Sequence, residues 1–152
     1  MKQDTPTGLP SRINRGWRIG IVHSSYYKEE VGALVSGAAQ ALRDAGIPPA
    51  NIKTYAVPGS FEIPLVGAEL ARKQEVDALI GIGVIVEGET HHARLIAEQA
   101  ARGMMDVQVR SGVPFAFEVL YVQDLALARA RLEKGEEAAR CVLHSLALIE
   151  RL

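Results

Sequence analysis

A single cysteine, Cys141, excludes an intrachain disulfide, a thiolate zinc site and a CxxC redox pair in this 152-residue chain. It sits in an apolar helical pattern and reads as a small buried hydrophobe rather than a nucleophile. An excess of one charge sign is missing as well. The 17 Lys and Arg oppose 18 Asp and Glu, a net charge of −1 that leaves no field to draw in nucleic acid or an anionic membrane. No apolar run reaches the ~18 residues needed to span a bilayer. The opening "MKQDTPTGLPSRINRGW" lacks the apolar segment of a signal peptide. Residues 1–17 therefore read as a flexible leader of a cytoplasmic protein, and residues 18–152 as one domain large enough to bury a core.

Within that domain, strand and helix patterns alternate. Arg18–His23 is a β-branched run suited to a buried parallel strand. From Lys28 to Ala45, the apolar positions Val31, Leu34, Val35, Ala38 and Leu42 keep helical spacing, and Gly46 supplies the stop. Asn51–Val57 predicts a second strand, and "FEIPLVGAELARK" a helix with Pro64 in its first turn. Val76–Val86 is the most apolar stretch and predicts a central strand, followed by a helix over Thr90–Arg110. Pro114–Val122 predicts a fourth strand. Leu125–Leu132 and Glu136–Leu152 predict two helices around a turn at "EKG". Four such alternations imply a three-layer α/β/α sandwich around a four-stranded parallel sheet. Ligands of such sheets collect at the carboxyl ends of the strands, which singles out "HSSYY", "VPGSFE", "VEGETHH" and "FEVLY".

Each of these segments carries a functional and a plain reading. Gly88 and the free amides at the start of the following helix can hold a phosphate, with Thr90 adding a hydroxyl. The plain alternative is a turn in which Thr90 caps its own helix. No GxGxxG or Walker loop is present. His91 and His92 lie about 100° apart around a helix, so one of them can face a given pocket. A helical metal pair would need partners four residues on, where Leu95 and Ile96 stand. One histidine can serve as an acid/base near neutral pH, or both can be solvated. Ser60 and Glu62 can bind a polyol or amide, or can favour a helix start. Tyr26 and Tyr27 can stack on a flat ring or cover the core edge. Glu118, inside an apolar strand, needs a partner, an interface or a site. A GxSxG elbow for serine catalysis is absent.

Taken in order, "VPGSFEIPL" and "GVIVEGETHH", supported by "ARGMMDVQ", "SGVPFAFEVL" and "KGEEAA", resemble the 6,7-dimethyl-8-ribityllumazine synthase family of riboflavin biosynthesis. The resemblance runs from Arg18 to the C-terminus. It implies a flavodoxin-like fold assembling as pentamers, and an enzyme without metal or organic cofactor. That enzyme condenses 5-amino-6-(D-ribitylamino)uracil with 3,4-dihydroxy-2-butanone 4-phosphate, releasing phosphate and water. It further implies His92 as the acid/base and His91 as a variable position. Tyr26 would stack on the pyrimidine, and Ser60, Phe61 and Glu62 would hold the ribityl chain and ring. Val84, Ile85 and Val86 would meet the pyrimidine, and Glu89 and Thr90 would offer backbone amides and a hydroxyl to the phosphate. Phe117 would be contributed by a neighbouring subunit, and Lys134 would lie close to the substrate. Arg131 would bind phosphate on an ungapped count from Val119, with Arg129 as its substitute. Riboflavin synthase is a partner that the resemblance suggests.

This chain departs from the family pattern where a Gly-rich loop, associated with closed icosahedral shells, usually precedes "KG"; here "LE" alone separates Arg131 from Lys134. Tyr27 replaces a frequent asparagine, Ala93 a frequent aromatic, and Glu118 a usual glycine. Two further readings of the fold stay open. One is a scaffold or shell protein whose chemistry is lost, favoured by the short loop and opposed by intact Ser60, Glu62, Thr90 and His92. The other is a module that binds a flavin or ribityl ligand without reaction.

Overall fold

The computed structural model describes residues 8–152. Four strands, β1 (Ile19–Ser24), β2 (Ile52–Val57), β3 (Ala78–Val86) and β4 (Phe115–Val122), pair in the order β2-β1-β3-β4, all parallel. Among the described residues, five α-helices accompany them: α1 (Lys28–Asp44), α2 (Ile63–Arg72), α3 (His92–Ser111), α4 (Leu125–Arg129) and α5 (Lys134–Arg151). The expected α/β/α sandwich is present. Its central strand is β3, whose first eight residues are all buried, as a parallel strand covered on both faces requires.

Alternate residues feed two cores. On one face Ile19, Ile21, Ala78, Ile80 and Ile82 pack with Leu34, Ala38 and Leu42 of α1 and with Ala139, Val142 and Leu143 of α5. On the other face Val22, Leu79, Phe115 and Val119 pack with Ile63 and Leu70 of α2 and with Ala97 and Met104 of α3. The chain leaves β1 toward β2 on one side of the sheet and reaches β3 on the other. The switch point therefore lies between β1 and β3, and a crevice opens beyond their carboxyl ends.

Three expectations change. The last helix starts at Lys134, two residues earlier than expected, because Gly135 is no breaker. It lies against α1, where a Cβ would run into the Leu34 carbonyl, so glycine lets the two helices approach. The preceding helix ends at Arg129 instead of Leu132, and successive turns bridge Ala130 to Glu133. Cys141 is exposed, not buried. The buried stripe of α5 runs through Ala138, Ala139, Val142, Leu143 and Leu146, and position 141 falls off it.

Part of the segment read as a leader, residues 1–7, lies outside the described residues. Further along, Ile13 packs on the α1/α5 core, and Trp17 is 4% exposed with its indole N–H donating to Glu150 at 3.1 Å.

Candidate functional site

A cleft of about 710 Å³ occupies the crevice at the switch point. Ser24, Tyr26 and Tyr27 line it from the end of β1, Pro58 to Glu62 from the end of β2, and Val84 to Val86 from β3. Gly88, Thr90, His92, Leu95, Ile96 and Gln99 complete the wall along the start of α3.

The β1 loop is built to stay put. The Ser25 hydroxyl donates to the Val57 carbonyl at 2.7 Å, and the buried Ser24 hydroxyl accepts from the Tyr26 N–H at 3.1 Å. Tyr27 adopts a left-handed backbone with φ 49°, a conformation costing about 1–2 kcal/mol for a residue with a Cβ. The first helical bond of α1, from the Val31 N–H to the Tyr27 carbonyl at 2.9 Å, lies next to this bend. The bend leaves Tyr26 65% exposed at the mouth, with its ring close to Gly59.

Beyond β2, Ser60–Glu62 form one 3₁₀ turn leading into α2. Ser60 is buried directly over Gly83 of β3, where any Cβ would collide with its hydroxyl. Gly83 thus opens the space that Ser60 fills. Neither Ser60 nor Glu62 makes a side-chain cap bond, so the helix-cap reading of this segment fails and both side chains are left to the cleft.

At the third strand the Thr90 hydroxyl accepts from the His92 N–H at 3.3 Å, a local bond, while the N-cap position of α3 is His91 and has no side-chain cap bond. Both histidines are exposed, and they part company there. His92, the first residue of α3, lines the cleft, whereas His91 does not. The turn before them has the exposed Gly88 and the first-turn amides of a 20-residue helix beside it, of which the His92 N–H is shared with Thr90, a combination suited to an oxyanion.

Residues 16–150 match the family described as 6,7-dimethyl-8-ribityllumazine synthase. The chain belongs to that family. It is 39% identical over 140 residues to the 6,7-dimethyl-8-ribityllumazine synthase of Stenotrophomonas maltophilia (strain K279a), covering 89% of this chain and 90% of the relative. It is 34% identical over 153 residues to that of Azoarcus sp. (strain BH72), covering 99% and 98%. The enzyme of the same name from Levilactobacillus brevis is 37% identical over 150 residues, covering 95% and 94%.

Of the residues that the family motifs point to, the cleft gathers Tyr26, Ser60, Phe61, Glu62, Val84, Ile85, Val86, Thr90 and His92. Glu89 is exposed and outside the lining. Phe117, Arg131 and Lys134 are outside it too. Phe117 is 44% exposed on the edge strand β4. The Arg131 guanidinium donates to the Leu127 carbonyl at 2.8 Å. Lys134 donates to the Glu137 carboxylate at 2.8 Å, which raises its pKa. Sequence reasoning missed Leu95, Ile96 and Gln99 as wall residues. The signal was the i, i+3, i+4, i+7 row from His92, which carries polar Gln99 on the cleft side of α3.

Glu118 answers its own question in part. It points from β4 toward the start of α5, where one of its carboxylate oxygens is buried without a hydrogen-bond partner. Burial lifts its pKa from 4.5 to about 7; Lys134 pulls it down, and Glu137 and Glu133 push it up. Between those two values the folded chain holds this proton and the unfolded chain has released it. The group's contribution to stability therefore falls as pH rises through the window and levels off above it. Glu118→Gln should remove this slope. Thermal melts should show the variant more stable than the parent at pH 8 by on the order of 2 kcal/mol, with the gap closing toward pH 4.5. A gap independent of pH would place the cause elsewhere.

Proposed function

We propose that this cleft is half of a site that condenses 5-amino-6-(D-ribitylamino)uracil with 3,4-dihydroxy-2-butanone 4-phosphate to 6,7-dimethyl-8-ribityllumazine, releasing phosphate and water. The other half comes from a neighbouring copy in a pentameric ring. The observation that carries the reading is a division of residues. The cleft groups the ring-binding, ribityl-binding and acid/base candidates, while Phe117, Arg131 and Lys134 lie outside it, free to serve a neighbour's cleft. Exposed apolar side chains around the cleft and along α2 and α3, among them Phe61, Leu65, Leu95, Met105 and Val109, give such a neighbour a surface to cover.

In this reading Tyr26 stacks on the pyrimidine, Val84 to Val86 flank it, and Ser60, Phe61 and Glu62 hold the ribityl chain and ring. The Thr90 hydroxyl, the Glu89 backbone N–H and the amides of the α3 terminus take the phosphate, joined by Arg131 of the neighbour. His92 moves protons during imine formation, phosphate loss and ring closure. Holding two reactants in register is the larger contribution, since well-oriented intramolecular reactions reach effective molarities of ~10⁵ M and above. The charge leaving with phosphate is met by amide dipoles and a guanidinium already in place. The enzyme acts in the cytoplasm, and riboflavin synthase is its proposed partner. Among the described residues, no helix is long and apolar enough to cross a membrane.

Mixing the purified protein with both substrates should generate the absorbance of the lumazine. Its absence, from protein that light scattering finds assembled, would favour the scaffold reading, in which the two-residue link between Arg131 and Lys134 marks lost chemistry.

A further inference from the structure

The turn that carries the phosphate-binding amides has little holding it. Glu87, Gly88, Glu89, Thr90 and His91 are all exposed, and nothing lies within 4 Å of where a Gly88 side chain would begin. The bond between Thr90 and the His92 N–H is local and fixes the turn to nothing else. Among the described residues two hydrogen bonds tie it to the sheet, and both run from Glu87 to β4. The Glu87 N–H donates to the Val122 carbonyl at 2.8 Å, and the Tyr121 hydroxyl donates to the Glu87 carboxylate. Strand register makes this reach natural, since Ile85 pairs with Tyr121 and Val86 with Val122.

We infer that Tyr121 and Glu87 are positioning residues that hold the phosphate-binding turn in register and keep the Glu87 carboxylate out of the anion site. This inference rests on the reading of the cleft given above. Neither residue lines the cleft, so neither touches the reacting atoms. Their effect has two parts with the same sign. A turn held only by one backbone bond samples positions in which its amides miss the phosphate, and displacements near 1 Å are costly to an oriented site. A carboxylate released from Tyr121 can also compete with phosphate for the positive end of α3. Arg94, one turn along α3, is close enough to feel the Glu87 charge but is paired with Glu98 at 2.8 Å. The phenol is therefore the Glu87 side chain's hydrogen-bonding partner among the described residues.

The test is steady-state kinetics on the assembled full chain, with each substrate varied in turn. Tyr121→Phe should raise the KM for the butanone phosphate about three- to tenfold, the scale of one lost hydrogen bond, and leave the KM for the pyrimidine unchanged. Glu87→Gln, which still accepts from the phenol and carries no charge, should keep the parent's phosphate KM or lower it. Glu87→Ala should raise it. Equal rises in both KM values, no change in Tyr121→Phe, or a Glu87→Gln as impaired as Glu87→Ala would overturn the inference. If Tyr121→Phe does not assemble, the contrast between the two Glu87 variants decides. Parent protein without turnover overturns the cleft reading itself, and the inference with it; parent turnover with unaltered variants overturns the inference alone.

Discussion

Replacing His92 with alanine should slow lumazine formation by about 10²–10⁴-fold, the usual contribution of a positioned acid/base, while the protein still assembles. His91→Ala should change turnover little. The two residues share a composition, an exposure and a helix terminus, so what separates them is direction. A step of about 100° around the helix turns one imidazole into the cleft and the other away. Exposure also protects the experiment. Neither ring is buried, so truncation leaves no cavity, and the Thr90 hydroxyl accepts from the His92 backbone, which alanine retains. A loss in His92→Ala is therefore a loss of chemistry rather than of fold. Stopped-flow absorbance under saturating substrates, paired with light scattering, reads both. Comparable losses from the two variants would remove the distinction on which the role of His92 rests.

Much of this was legible in the sequence because local signals and global fold agree. β3 is nine residues without a charge, and such a run has no place but the middle of a parallel sheet. The segments after β1, β2 and β3 were readable as one site because the carboxyl ends of parallel strands meet whatever their order. What stayed hidden depends on contacts between distant residues. "EKG" looks like a helix break, but Gly135 is needed where α5 touches the α1 backbone. Cys141 keeps apolar company in sequence, yet lies one step off the stripe that α5 buries. Ser60 reads as a cap until Gly83 of another strand is found beneath it. Glu118 announced itself as an anomaly, while the lift of its pKa needed the position of β4 relative to α5. Nothing in the spacing of Glu87 and Tyr121, 34 residues apart, suggests their hydrogen bond. The division of Phe117, Arg131 and Lys134 from the cleft belongs to a still higher level. For a site shared as proposed, a chain's own sequence lists the residues without saying which copy's cleft they would enter.

The two arginines that follow β4 make that last point testable. The ungapped count favours Arg131 for phosphate, and the structure gives its neighbour another task. Arg129 pairs through Nε with the carboxylate of Glu30 at 3.0 Å, and that carboxylate is 4% exposed. Removing Arg129 strands a buried charge, at a cost of about 1–3 kcal/mol, reduced from a fully buried pair because the guanidinium itself is half in water. Arg131 is exposed and, among the described residues, makes no ion pair; its guanidinium donates to the Leu127 backbone carbonyl. Its charge is thus available to an anion without a competing carboxylate. Arg131→Ala should raise the KM for the butanone phosphate by roughly 30- to 1,000-fold, the loss of a charge-assisted phosphate contact, with the pyrimidine KM little changed and the melting temperature intact. Arg129→Ala should do the reverse: a melting temperature lowered by several degrees and a phosphate KM near the parent's. An exchange of these two outcomes would mean that the count from Val119 hides a gap and that Arg129 is the phosphate ligand. Because the Arg131 of one copy would serve the cleft of the next, mixing Arg131→Ala with His92→Ala chains supplies the sharper version. At a butanone phosphate concentration near the parent's KM, each variant is nearly inactive alone. Rings assembled from both contain some clefts with an intact His92 on one side and an intact Arg131 on the other, so activity should return on mixing. If each chain used its own arginine, every cleft in the mixture would remain defective and no activity would return.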